Sequence, residues 1–253
     1  MAGNKILGKI TGIKIDGNEI DFQQHSLDES FNVIDVTDSS TAGDGTETIV
    51  GRATRELKIE GLIKVGGVAQ KGSAMNLNFA SANYTVTDIK YSETYEEIDV
   101  TDSGTAEDST EFEAGFAERK VSVDYWSKDT QKSIQRGSAE AAVITLAPGV
   151  TISGNLRFES LNMQDEVKGA VKESVSGTFQ GAVTEAPNPI GGIAMITKLP
   201  VVLTYKQGAS DKQISGTASV FSREITGNIN GELKISWGLK FSGAITETVY
   251  SAT

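Results

Sequence analysis

Two acidic phrases invite a chemical reading first. "IDVTDSSTAGDGTE" begins at Ile34 and "IDVTDSGTAEDSTE" at Ile98, 64 positions on. They bring Asp35, Asp38, Asp44 and Glu47, then Asp99, Asp102, Asp108 and Glu111. Calcium takes oxygen ligands from such loops, but an EF-hand needs acidic or amide groups at alternate positions, a glycine at the sixth and a glutamate at the twelfth. Here the acids are three and six apart, and Gly45 becomes Ser109 in the second copy. A solvated hairpin tip fits better, and no metal is expected.

Other constellations are equally thin. His25, the single histidine, lies near Asp21, Ser26 and Asp28, but a triad needs three groups placed by the fold. No G-x-S-x-G elbow accompanies it, and the second copy has nothing similar. Glu96 and Glu97 are adjacent, so on a strand they point to opposite faces. Trp126 and Trp237 stand singly on predicted strands, where an aromatic is more often core or interface than a stacking platform. No phosphate loop or dinucleotide fingerprint occurs. The expectation is a non-enzyme without a cofactor.

Composition sets the frame for these residues. The 253 residues suit one large domain or two ordinary ones. Val, Ile, Thr, Tyr and Phe mark the patterned segments, 27 glycines punctuate them, and only four prolines occur, so a mainly β chain is expected. Cysteine is absent, which excludes disulfide and thiol chemistry. No apolar run approaches the roughly 20 residues of a membrane span. "MAGNKILGKITG" lacks the apolar core of a signal peptide, so synthesis in a cytoplasm is expected. A net charge of −11 argues against gripping nucleic acid.

The elements that position the phrases are themselves repeated. Ile34–Ile59 matches Ile98–Val123 without gaps: Gly51, Ala53 and Arg55 recur as Gly115, Ala117 and Arg119. Leu57 and Ile59 become Val121 and Val123, apolar and two apart, the period of a half-buried strand. Each copy reads as a strand, a long acidic loop and a strand. A second repeat relates 166–185 to 224–247, with Phe179-Gln180-Gly181 matching Phe241-Ser242-Gly243. The order is thus front, front, back, back. The simplest arrangement is an outer domain of residues 1–72 plus 189–253, with an inner copy, 73–188, inserted in it; an intertwined pair of sheets is the alternative. The junctions "VGGVAQKGSA" and "EAPNPIGG" look like exposed loops. "SKDTQKSIQRGSAEAA" (Ser127–Ala142) is read as a helix, capped by Ser127 or Asp129 and ended by Gly137.

A duplicated, acidic β protein without a catalytic constellation suits assembly, because each chain supplies two quasi-equivalent subunits to a ring. The inner copy resembles the bacteriophage major tail tube family of long-tailed phages. The features are the "VTDSG" turn, Gly115, the alternating strand Lys120–Trp126 and the closing strand ending "FQGAV"; the outer copy carries "VTDSS", Gly51, Arg55–Ile63 and "KFSGAIT". The resemblance implies two β-sandwich or barrel domains with about one short helix each. It implies subunits joined edge to edge into rings around a channel, stacked into a virion tail tube through which phage DNA passes. Because this chain carries two such domains where most members carry one and form hexamers, trimeric rings with pseudo-sixfold symmetry are expected. Stacking falls to the two acidic loops: Asp35, Thr37, Asp38, Asp44 and Glu47, then Asp99, Thr101, Asp102, Asp108 and Glu111. Trp126, Phe179, Trp237 and Phe241 are assigned to sheet core or interface. The implied partners are other copies of the chain, a tape measure protein and tail-end proteins, with no membrane; DNA passes without specific binding. Rival readings are a virion decoration or adhesion module, or the inner tube of a contractile injection system.

Overall fold

A computed structural model describes residues 9–35, 48–102, 110–128, 134–167, 170–207 and 210–250. The protein is mainly β, a sandwich built from long antiparallel strands. In chain order they are β1 (Lys9–Ile15), β2 (Asn18–Glu19), β3 (Gln24–Asp35), β4 (Thr48–Leu62), β5 (Lys64–Val65), β6 (Val68–Ala69), β7 (Asn76–Phe79) and β8 (Ala82–Asp99). There follow β9 (Phe112–Lys128), β10 (Ala139–Ala147), β11 (Val150–Val167), β12 (Ala170–Ala186), β13 (Lys198–Gln207), β14 (Ser210–Asn228) and β15 (Lys234–Tyr250).

Period-2 patterning explains the long strands. On β9, Val121, Val123 and Tyr125 are buried while Lys120, Ser122 and Asp124 face outward or half outward. On β4, Leu57 and Ile59 are buried between Glu56, Lys58 and Glu60. The buried faces merge into one apolar core that includes Tyr91, Phe158, Leu156, Ile235 and Leu239.

The pairings fall into two groups. β7 to β12 pair among themselves. β1 to β4 and β13 to β15 likewise pair among themselves. The two groups repeat each other's register. In the front hairpins, Gln24↔Glu60 recurs as Asp88↔Asp124 and Phe31↔Ala53 as Tyr95↔Ala117, each 64 positions on. A bulge follows Phe31 in one and Tyr95 in the other. In the back hairpins the offset is 62: Ser153↔Thr184 recurs as Ser215↔Thr246, and Asn155↔Gln180 as Thr217↔Ser242.

Sequence details account for that identity. Gly181 and Gly243 sit inside the shared bulge at φ of +84° and +81°, a conformation that glycine adopts freely. Phe179 and Phe241 each lie over a cross-strand glycine. A Cβ on Gly154 would come within 3.1 Å of the Phe179 ring, and one on Gly216 within 3.0 Å of Phe241. Aromatic–glycine pairs of this kind cover exposed backbone and pin register.

β14 links the two groups. Its first half pairs with β13, its register shifts between Val220 and Ser222, and residues 222–228 then pair with β8. Strands that change neighbours at a bulge make the corners of a sandwich. The result is one continuous run of strands in the order β11-β12-β9-β8-β14-β15-β4-β3.

One expectation needs correction. The described residues contain no α-helix, only a 3-10 turn at Gly72–Ala74. In the segment read as a helix, Ser127 and Lys128 end β9, Ala139–Ala142 begin β10, and 129–133 lie outside the described residues. Tertiary partners override local propensity. Ile134 is buried and its N–H donates to the Tyr125 hydroxyl at 3.3 Å, while Gly137, at φ +104°, donates to the Phe158 carbonyl at 3.1 Å. The second junction is a loop, as expected, with Pro187, Asn188, Gly191 and Gly192 exposed; Ile190 anchors it in the core, and its N–H donates to Glu185 at 3.0 Å.

Candidate assembly surface

The bases of the acidic loops are held by the front hairpins. β8 and β9 pair up to Asp99↔Phe112, and β3 and β4 up to Asp35↔Thr48. At the first of these bases the Asp99 carboxylate accepts the Thr101 N–H at 2.9 Å. That hydrogen bonding, from the Thr101 side chain and backbone, holds its pKa below the ordinary value. The Glu111 N–H donates to Thr101 Oγ1 at 2.8 Å, and Val100 N–H to the Glu111 carbonyl at 3.0 Å. This ties the start of the phrase to its end. The Asp35 backbone closes β3; Thr37, Asp38, Asp44, Glu47 and Asp108 lie outside the described residues.

The β8–β9 hairpin also leans on the other group. Arg52 donates to the Asp102 carbonyl at 2.9 Å, Thr110 to the Ala53 carbonyl at 3.3 Å, and Gly243 N–H to the Thr110 carbonyl at 3.1 Å. Lys240 pairs with Glu97 and lies 5.0 Å from the centroid of the Phe112 ring. Asp99, Thr101, Asp102 and Glu111 are therefore brought together at a junction between two repeated hairpins.

Beneath the junction lies a buried ionic cluster that sequence reasoning missed. Arg223 on β14 has a side chain only 1% exposed. It donates to Glu93 of β8 at 2.6 Å and to Glu185 of β12 at 3.0 Å. Arg119 of β9 donates to Glu93 at 2.8 Å and to the Tyr95 hydroxyl at 3.0 Å. Burial works against charge on Arg223, but Glu185 and then Glu93 raise its pKa further. Burial of Tyr91 beside the cluster pushes its phenol up. One signal was available: Glu29 and Arg55 recur as Glu93 and Arg119, and both pairs form, the first at 2.6 Å. Arg223 has no counterpart, because the matching residue is Leu161.

The four assigned aromatics divide. Phe179, Trp237 and Phe241 are buried core residues. Trp126, flanked by buried Tyr125 and Ser127, points outward and is 37% exposed. His25 forms no triad: strand alternation separates it from Ser26 and Asp28, which hydrogen bond to each other at 3.4 Å. Its ring instead meets Phe22 edge-on at 5.1 Å. Glu97 goes to Lys240, whereas Glu96 lies over Gly115, whose absent Cβ would come within 2.7 Å of that carboxylate.

The outward face of the continuous run carries both charges in cross-strand pairs. Lys90 meets Glu224 at 2.8 Å, Lys172 meets Asp124 at 2.9 Å and Lys234 meets Glu60 at 3.0 Å. Comparison with protein-family models, curated proteins and solved structures gives no match. Site geometry and the internal repeat are thus the grounds for a functional reading.

Proposed function

We propose that the chain is a structural subunit that self-assembles into rings stacked as a bacteriophage tail tube, with each chain supplying two quasi-equivalent units. The nested division into residues 1–72 plus 189–253 and residues 73–188 belongs to this reading, as do trimeric rings. The carrying observation is that two strand groups of the same register are already joined edge to edge in one sheet. Such a joint leaves the same kinds of edge free at both ends of the chain's own run. Unpaired sheet edges favour association with another chain. The acidic loops, one of them rooted at the joint between groups, suit contacts between successive rings. An acidic protein suits the passage of DNA, since phosphates find no fixed cationic track.

The test is negative-stain electron microscopy of purified protein over a concentration series. Hollow tubes or stacked rings with three- or sixfold end views are expected. Compact particles at every concentration would favour a virion decoration module instead.

A further inference from the structure

The free edges at the two ends of the strand run carry a residue-level instruction. Among the described residues, β3 pairs only with β4, and residues 160–167 of β11 pair only with β12. These segments are the repeat equivalents of β8 and of β14 residues 222–228, which do pair with each other. We infer that β3 of one protomer pairs antiparallel with β11 of a second copy, in the register of the β8–β14 joint. This deepens the proposed function and rests on it only for the existence of self-association.

Carrying each internal pair across by its offset fixes the contacts. Ser222↔Thr94 becomes Ser160↔Ser30, and Arg223↔Glu93 becomes Leu161↔Glu29. Glu224↔Ser92 becomes Asn162↔Asp28, and Ile225↔Tyr91 becomes Met163↔Leu27. The chemistry survives the translation. Ile225 and Tyr91 are fully buried; Met163 is 63% exposed and Leu27 half-buried, apolar groups that a partner edge would cover. Asn162 brings an amide to the Asp28 carboxylate. Leu161 replaces an arginine without stranding a charge, because Glu29 is already paired with Arg55. Neither edge segment holds a proline or lysine, the residues that commonly blunt a free edge.

Phe116 supports the same arrangement. It is 89% exposed on β9, an unusual position for a large aromatic ring. Its equivalent is Arg52, which reaches across the internal joint to the Asp102 carbonyl. A neighbour seated on β11 would bring its own β3–β4 hairpin over Phe116 as β8–β9 lies over Arg52.

The experiment uses the natural absence of cysteine. The full-length single variants S30C and S160C, both altered at exposed positions, are mixed under mild oxidation and resolved without reductant. The same is done with D28C and N162C. Residues opposite each other on paired strands have Cα separations within disulfide reach. Matched mixtures are expected to cross-link roughly tenfold more than the off-register mixture of S30C with N162C. Assembly of each mixture is viewed in parallel by electron microscopy. Rings or tubes without matched cross-links would overturn the register while leaving the tube reading standing. S30C linking to itself would show an isologous contact and overturn the head-to-tail pairing. Neither assembly nor cross-links would overturn both.

Discussion

Glu29–Arg55 and Glu93–Arg119 are the same ion pair in two settings. Both join the strands of a front hairpin in the same register. Around Glu93 the sheet continues: Arg223 arrives from β14, Glu185 from β12, and the Glu93 side chain is left 4% exposed. Around Glu29 the sheet stops, and that side chain is 21% exposed. The lesson is that the repeat does not by itself fix a residue's environment; the neighbour supplied to its edge does. One copy shows how the edge looks once filled, and the other shows it open.

The most direct way to break that parallel is at the loops. Deleting Thr37–Glu47, or Ser103–Ser109 in the second copy, is expected to leave the β fold intact by circular dichroism while abolishing ring stacking in electron micrographs. Normal tubes from both deletions would remove the loops from the contact. Next in size is the buried cluster. Arg223→Ala leaves Glu93 and Glu185 facing each other without their shared cation, and a loss of about 3–5 kcal/mol is expected in urea unfolding. Arg55→Ala, at the open edge, should cost no more than about 1–2 kcal/mol. Equal losses would mean the two settings do not differ as described.

Gly154→Ala and Gly216→Ala sharpen the comparison where the copies agree. Each new methyl group must push an aromatic ring aside, so about 1–2 kcal/mol is expected at both sites, equal within error. A large difference would show that the aromatic–glycine pairs are not equivalent. The smallest effect concerns Glu247, which stands where Glu185 stands in the other copy. A hydrogen bond from Lys212, then one from Tyr205, lowers its pKa from the ordinary 4.5. A carboxylate depressed on folding adds stability above its unfolded pKa, and that stability is lost as pH falls through the folded value. Glu247→Gln should therefore cost under about 1 kcal/mol at pH 6 and progressively less below about pH 4.5. A cost that grows on acidification would contradict the assignment.

Much of this organisation was legible in advance, for a physical reason. Period-2 runs such as Lys120–Trp126 are local signals, and the internal repeat aligned Arg55 with Arg119, though their partners Glu29 and Glu93 lie just outside the matched stretch. Turn chemistry was local too: Gly149 closes the β10–β11 turn at φ +78°. What escaped depended on partners distant in the chain. Arg223 meets Glu93 across 130 positions, and no pattern near either residue announces the other. The segment around Ile134 has helix-forming composition, yet its hydrogen bonds go to Tyr125 and Phe158. Trp126 looked the same as Trp237 in sequence, but its place in the strand alternation turned it outward.

The nested strand order also sets a timetable. All of β7 to β12 lies between residues 76 and 186, so a ribosome completes that group while the other still lacks β13, β14 and β15. Domains tend to fold as units during synthesis. The β3–β4 hairpin emerges early, but β4 waits for β15, at Lys234–Tyr250, before its second edge is covered. The first long hairpin made is thus among the last enclosed, and β8 offers β14 a finished template on which to close the chain.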